Sequence, residues 1–266
     1  MAIYPADGLA IKVLRPLHDI DAAVDVARVV QDIRNIAEGI CERLDSAAAP
    51  GDILFTLNDQ LFNVLDFHCS PLSLAEPHHS QLNRVLQQRY GEPLSLGILY
   101  ICVGRWLGLA LTGCDFPGRF LVHYHDEKGG VIIDPAAGGV QLQEEDLLTL
   151  LKHRFGAAAG EVITGDFLSD VDDSYLVVRL LRRLKQAYMK QQETVRALRV
   201  QNKIMQLVPD VPGGFRERGE LYELLGCPRA AAENYSRYLD LVPDAGDAIS
   251  LHQHLSQLLS QPQVLH

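Results

Sequence analysis

The tetrapeptide Leu207-Val208-Pro209-Asp210 returns as Leu241-Val242-Pro243-Asp244, an offset of 34 residues. A period of that length holds one helix–turn–helix hairpin. Residues 212–245 are built for such a hairpin. Gly219 and Ala231 are small enough to let two helices approach closely, and Tyr222 and Tyr235 are large enough to fill the space between them. Gly226 and Pro228 break the chain between the helices, and Pro243 ends the second. A hairpin of this kind cannot bury its apolar face alone, so the units must stack and be capped. The stretch AISLHQHLSQLL after Asp244 reads as one closing helix. Two units are few for independent stability, so this array is expected to lean on the domain before it.

The second unit resembles the tetratricopeptide repeat, with Phe215, Gly219, Tyr222, Gly226, Ala231, Tyr235 and Pro243 at the pattern's positions and Arg218 a departure. The first unit, 178–211, matches through Leu181, Leu184, Tyr188, Ala197, Ile204 and Pro209, while Lys185 and Gln201 do not fit. Close contacts are expected between Gly219 and Ala231. Tyr188, Phe215 and Tyr222 are the aromatic residues that the array would offer to a bound polypeptide. A plain helical extension without a groove stays open as an alternative.

The remaining composition limits what else the chain does. No apolar run approaches the ~20 residues of a membrane helix. The start, MAIYPADGLAIKVLRPLHD, lacks the basic, apolar and small-residue sequence of a signal peptide. The five cysteines, Cys41, Cys69, Cys102, Cys114 and Cys227, are odd in number and form no CxxC, which points to reduced thiols in the cytoplasm. A net charge of −10 argues against nucleic acid and anionic membranes as general partners. The basic stretch Arg179, Arg182, Arg183, Lys185 reads as a solvated helix face.

Apolar residues at helical spacing run from Ala23 to Ile40, giving a helix within 19–46 with Asp19 or Asp21 as its cap. A short helix is expected around 54–67 and a loop over 68–80. His68, Cys69, His78 and His79 lack paired metal-ligand spacing, so no metal is expected there, and no motif implies a cofactor. LNRVLQQRYG reads as a helix ended by Gly91. The following PLSLGILYICVGRWLGL starts with Pro93, whose missing N–H costs nothing at a helix start, and its nearly continuous apolar run marks a central buried helix. LALTGCDF, RFLVHYHD and GVIIDP then read as strands separated by turns at Pro117-Gly118 and at 127–130, forming an antiparallel sheet packed on that helix.

Residues 82–139 in particular, LNRVLQQRYGEPLSLGILYICVGRWLGLALTGCDFPGRFLVHY followed by IIDPAAGG, resemble the bacterial SirB family, the branch written SirB one; the likeness extends over about 30–260. The resemblance implies a transglutaminase-like domain of papain-like α+β fold joined to tetratricopeptide repeats, divided here as 1–172 and 173–266. The parent superfamily uses a cysteine at the start of the central helix, a histidine on the next strand and an aspartate on the strand after it. Those positions fall at Pro93, Arg119 and Asp134. Two of the three groups are missing, which implies that acyl transfer by this route is lost. Asp134 is expected to meet Arg119 in a salt bridge, with main-chain N–H groups holding the carboxylate as the competing outcome. Ser95 is a substitute nucleophile only if a base lies within ~3 Å. His123 shares the strand face of Arg119 but lies ~13 Å further along. Two functions follow: a non-catalytic protein that binds a protein or peptide through its repeats and cleft, or a residual hydrolase or acyl-transferase using Ser95.

Overall fold

The computed structural model describes residues 7–69, 76–126, 129–156 and 168–260. Internal contacts divide the chain into Met1–Leu180 and Leu181–His266. The first unit opens with α1 (Gly8–Ile20), α2 (Val26–Cys41) and α3 (Pro50–Asn58), which runs on as a π-helical turn, Asp59–Val64. After β1 (His68–Cys69) and a 3₁₀ turn, Pro77–Ser80, come α4 (Leu82–Gln88), β2 (Tyr90–Gly91) and α5 (Pro93–Trp106). The strands β3 (Leu111–Phe116), β4 (Arg119–Tyr124) and β5 (Val131–Asp134) follow, then a 3₁₀ turn, Pro135–Ala137. The unit continues through β6 (Val140–Leu142), α6 (Glu144–Phe155) and β7 (Ser169–Val171), and α7 (Asp173–Lys190) starts in it. Among the described residues, no helix is long and apolar enough to cross a membrane.

The N-terminal part differs from the sequence expectation. The helix expected within 19–46 is α2, and its cap is Asp25, whose side chain accepts from Arg28 N at 3.0 Å; Asp21 instead accepts from Ala23 N in the preceding turn. Helix α1 went unread because Pro16 lies inside it, although Leu9, Ala10, Val13, Leu14 and Leu17 form one buried stripe. Helix α4, expected to be ended by Gly91, ends two residues earlier at Arg89, which takes the left-handed conformation (φ 65°). Gly91 is free of that task and is needed for closeness: a Cβ there would lie 2.6 Å from Ser95 Oγ. The expected loop over 68–80 contains β1 and the 3₁₀ turn at its ends, and 70–75 lie outside the described residues, as do 127 and 128 of the expected turn at 127–130.

Every residue of α5 from Leu94 to Arg105 is buried. Gly97 and Gly104, two turns apart, form the face laid on the sheet. A Cβ at Gly97 would sit 2.2 Å from the Phe120 ring, and one at Gly104 2.2 Å from Leu111 Cδ1. The sheet is antiparallel in the order β6-β5-β4-β3-β7. Strand alternation sends Leu111 and Phe120 toward α5, and Cys114, Phe116, Leu121 and Ile132 to the opposite face, where Leu147 and Leu151 of α6 cover them. The short edge strands β6 and β7 were not legible in the sequence. Arg105, buried at the end of α5, donates from Nε to Leu111 O and from a terminal nitrogen to Asp173, both at 2.9 Å.

In the second unit, α7 ends and α8 (Thr194–Leu207), α9 (Gly213–Leu224), α10 (Pro228–Leu241) and α11 (Ala248–Ser260) follow. Pro209 and Pro243 each stand two residues beyond a helix end. Helix α9 packs on α8 and α10, and α10 on α11. Gly219 meets the ring of Tyr235 rather than Ala231: its Cβ would lie 2.5 Å from a ring carbon. Ala231 is buried with Tyr235, Leu239, Leu251 and Leu255. The three departures from the repeat pattern have found polar partners. Lys185 donates to Gln201 (2.7 Å) and Glu217 (2.8 Å), Gln201 donates to Gly214 O (2.9 Å), and Arg218 donates to Asn234 (2.7 Å) and Asn202 (3.3 Å).

The Gly219–Tyr235 contact sets an expectation for substitution. In Gly219→Ala the gain in helix propensity, about 1 kcal/mol, is outweighed by overpacking against a buried ring, for a net loss of about 1–2 kcal/mol. Gly213→Ala, with nothing within 4 Å of the new methyl, should change stability by less than about 0.5 kcal/mol. Urea unfolding of the two variants checks the contrast.

Candidate functional site

Helix α5 starts at Pro93, after an extended Glu92. The exposed N–H groups and dipole of such a helix start lower a thiol's pKa, but proline presents no group to activate. Ser95, two residues on, is fully buried. Its hydroxyl lies 2.6 Å from His79 O and 2.9 Å from Glu92 O. Both are main-chain carbonyls, which accept a proton without removing it, so this contact ties the helix start to the turn before it. Glu92 is itself buried and accepts from the Ser80 hydroxyl.

Arg119 and Asp134 come together. Val122 pairs with Ile133, so Arg119, three residues earlier on β4, stands beside the turn that follows Asp134. Its guanidinium donates to Asp134 Oδ2. Oδ1 of the same carboxylate accepts from Ala136 N (3.0 Å) and Ala137 N (3.3 Å), capping the 3₁₀ turn. Salt bridge and main-chain capping therefore hold together, where the sequence had set them as alternatives. The Asp134 side chain is 1% exposed and that of Arg119 43%, so the carboxylate is buried under a cation that reaches water. The turn is fixed from its far side: Asn58 donates to Gly139 O (2.9 Å) and accepts from the Tyr100 hydroxyl (2.8 Å).

His123 shares a strand face with Arg119 but its partners lie elsewhere. Nδ1 is 3.1 Å from Asp170 and Nε2 is 3.2 Å from Gly129 O. His125 and Asp170 complete that cluster and escaped the sequence reading. The His-x-His alternation on a strand was a visible signal, whereas Asp170 belongs to an edge strand that was not. Burial pushes both core thiols, Cys102 and Cys114, up to about 12, which leaves them protonated and unreactive at neutral pH. An open cleft of ≈ 450 Å³ is lined by Asp32, Asn35, Ile36, Gln60, Leu86 and Arg89 among others, and by none of Pro93, Ser95, Arg119 or Asp134. Of the repeat aromatics, Tyr188 is 4% exposed and belongs to the core, with the Arg196 guanidinium over its ring, while Phe215 and Tyr222 are half-buried.

Comparison with known proteins agrees with this architecture. Residues 27–182 match the transglutaminase-like superfamily, and residues 184–256 match the tetratricopeptide repeat. A UPF0162 protein of Xylella fastidiosa is 33% identical over 77% of this chain and 73% of its own. A UPF0162 protein of Pseudomonas aeruginosa is 29% identical over 85% and 80%. Protein SirB1 of Salmonella typhimurium is 26% identical over 70% and 68%.

Two measurements follow from the geometry. Asp134→Ala removes a turn cap and a charge-assisted hydrogen bond, one of whose partners can return to water, so a loss of about 2–3 kcal/mol is expected. Arg119→Ala leaves the capped carboxylate in place and should cost about 1 kcal/mol; chemical unfolding compares them. For the thiols, none of the five is in a disulfide, and only Cys41 and Cys227 are exposed. Native-state alkylation should modify those two first, Cys102 and Cys114 should react only after denaturation, and mass spectrometry reads the order.

Proposed function

The chain belongs to the UPF0162 family of transglutaminase-like proteins, and we propose that in it the acyl-transfer chemistry of the superfamily has been given up for protein binding. The observation that carries this reading is the pairing of Pro93 at the helix start with Arg119 on Asp134. Covalent acyl transfer needs a nucleophile with a base in hydrogen-bond reach, and a third group to orient that base. Proline supplies no nucleophile. A guanidinium stays protonated and takes no proton from one. The aspartate that would orient a histidine instead holds Arg119 and caps a turn. Ser95 is a poor replacement, since it is sealed from solvent and its proton is directed at carbonyls.

The repeat region takes over as the working surface. Stacked tetratricopeptide hairpins form extended concave faces that suit a polypeptide segment. Phe215 and Tyr222 are half-buried in this region, and the polar contacts of Lys185 and Arg218 keep neighbouring helices in register. Five cysteines, none in a disulfide, fit work in the cytoplasm.

The test has two arms. With a glutamine-containing peptide and a primary amine, and with simple ester substrates, the protein should give no turnover above background. In co-purification from the native cytoplasm, Phe215→Ala combined with Tyr222→Ala should weaken retention of the bound protein by about tenfold or more, as loss of aromatic anchors does, while Arg119→Ala leaves it unchanged. Amine transfer that disappears in Ser95→Ala would replace this reading with a residual enzyme.

A further inference from the structure

His123 and His125 alternate along β4, whose ladder runs on past Tyr124 through a hydrogen bond from His125 N to Ala110 O (2.9 Å). Both side chains therefore leave the same face of the sheet. Asp170 of β7 reaches the same place from the other side of β3. Its Oδ1 lies 3.1 Å from His123 Nδ1 and its Oδ2 3.2 Å from His125 Nε2. The two imidazole rings are 3.9 Å apart between centroids. Thr112 of β3 stands between them, its hydroxyl donating to Asp170 Oδ1 (2.9 Å) and lying 2.8 Å from His125 Nε2.

The hydrogen-bond accounting of His123 leaves a positive charge to be supplied. Its Nε2 faces the Gly129 carbonyl oxygen at 3.2 Å and its Nδ1 faces a carboxylate oxygen. Both neighbours only accept, and a neutral imidazole carries a single N–H. With that N–H on Gly129 O, the Nδ1 lone pair points at Asp170. A histidine anchored through its far nitrogen to a carbonyl is the usual arrangement of a metal ligand. A second proton is one answer for His123; a divalent cation is another, and it would be shared with His125 Nε2 and the carboxylate, which lie together here. The backbone is shaped to bring the carbonyl there: Gly130 has φ +89°, and a Cβ on it would lie 2.0 Å from Tyr124 O and 3.0 Å from His123 Nε2.

We propose that His123, His125 and Asp170 form a binding site for a divalent first-row transition cation, with Zn²⁺ the best fit. One donor atom from each lies within 4.8 Å of the others. Zinc bound at 2.0–2.2 Å sets its tetrahedral ligands about 3.4 Å apart; the carboxylate already reaches one ring through each of its oxygens, at 3.1 and 3.2 Å, so a small side-chain adjustment brings one oxygen and both ring nitrogens to that spacing. Two imidazoles and a single carboxylate suit zinc and its neighbours rather than Ca²⁺ or Mg²⁺, which prefer oxygen donors. The Thr112 hydroxyl supports the carboxylate from outside the ligand set. The three side chains are 22%, 36% and 41% exposed, so the ion is reached from solvent and keeps a coordination position for water. Bound there, it ties edge strand β7 to β4 across β3. Arg119 and Asp134 take no part.

The test uses the full-length chain without an affinity tag, stripped with chelator and then dialysed against Zn²⁺. One Zn²⁺ per chain is expected, and Co²⁺ in its place should give the visible absorption of a four-coordinate site. His125→Gln and Asp170→Asn should each weaken binding by about 100-fold or more, with circular dichroism verifying that they fold. His78→Gln and prior alkylation of Cys41 and Cys227 should leave the stoichiometry unchanged. Failure of the unsubstituted protein to take up stoichiometric Zn²⁺ overturns the proposal. So does uptake that is indifferent to both site substitutions, or that is lost with His78 or the exposed thiols.

Discussion

Two glycines on α5 govern how the first unit is assembled. At Gly97 and Gly104 the helix backbone comes so near the sheet that Phe120 and Leu111 occupy the space a Cβ would take. A helix lying that close can be apolar all round, because its other faces meet α1, α2 and α4. The carbonyls of its last turn are met by main-chain N–H groups, those of Leu107, Gly108 and Leu109 on Val103, Arg105 and Gly104. Arg105, buried near that end, donates instead to Leu111 O of β3 and pairs with Asp173, so it ties α5 to the sheet and to the start of α7. Position 93 is held at the helix start by this packing and by the Ser95 hydroxyl.

The burial of the Asp134 carboxylate has a physical explanation. A buried carboxylate is costly unless its lone pairs are met. Here one oxygen caps the 3₁₀ turn and the other takes the Arg119 guanidinium. The turn in turn leads to Gly139, whose φ of 79° and contact with Asn58 allow no side chain. Asp134 thus has a structural task of its own, holding the turn and Arg119 together.

The repeat region shows a related economy. Lys185, Gln201 and Arg218 each replace an apolar residue of the repeat pattern, and each would be destabilising if buried alone. Lys185 and Gln201 instead hydrogen-bond to each other, and the network extends to Glu217 and Gly214 O. Arg218 lies over the Phe215 ring, 5.6 Å from its centroid, and donates to two asparagines. Such networks discriminate one helix register from others, since a slip would leave several polar groups unmet.

By itself the sequence determined the features that depend on local pattern. The 34-residue offset located the hairpins and the prolines beyond their ends. The unbroken apolar run identified α5, and short strand-like runs separated by turns identified β3 to β5. The family resemblance, laid along those elements, pointed to Pro93, Arg119 and Asp134. Tertiary structure alone decided what depends on partners distant in the chain. Helix α1 hides behind Pro16, α6 and the edge strands are too short or too polar to announce themselves, and Gly219 turned out to face Tyr235 rather than Ala231. His123 and Asp170 stand 47 residues apart in sequence, and only the pairing of β3 with both β4 and β7 brings them together. Periodicity reports which side of an element a residue occupies, whereas the groups waiting on that side are decided by how the elements pack.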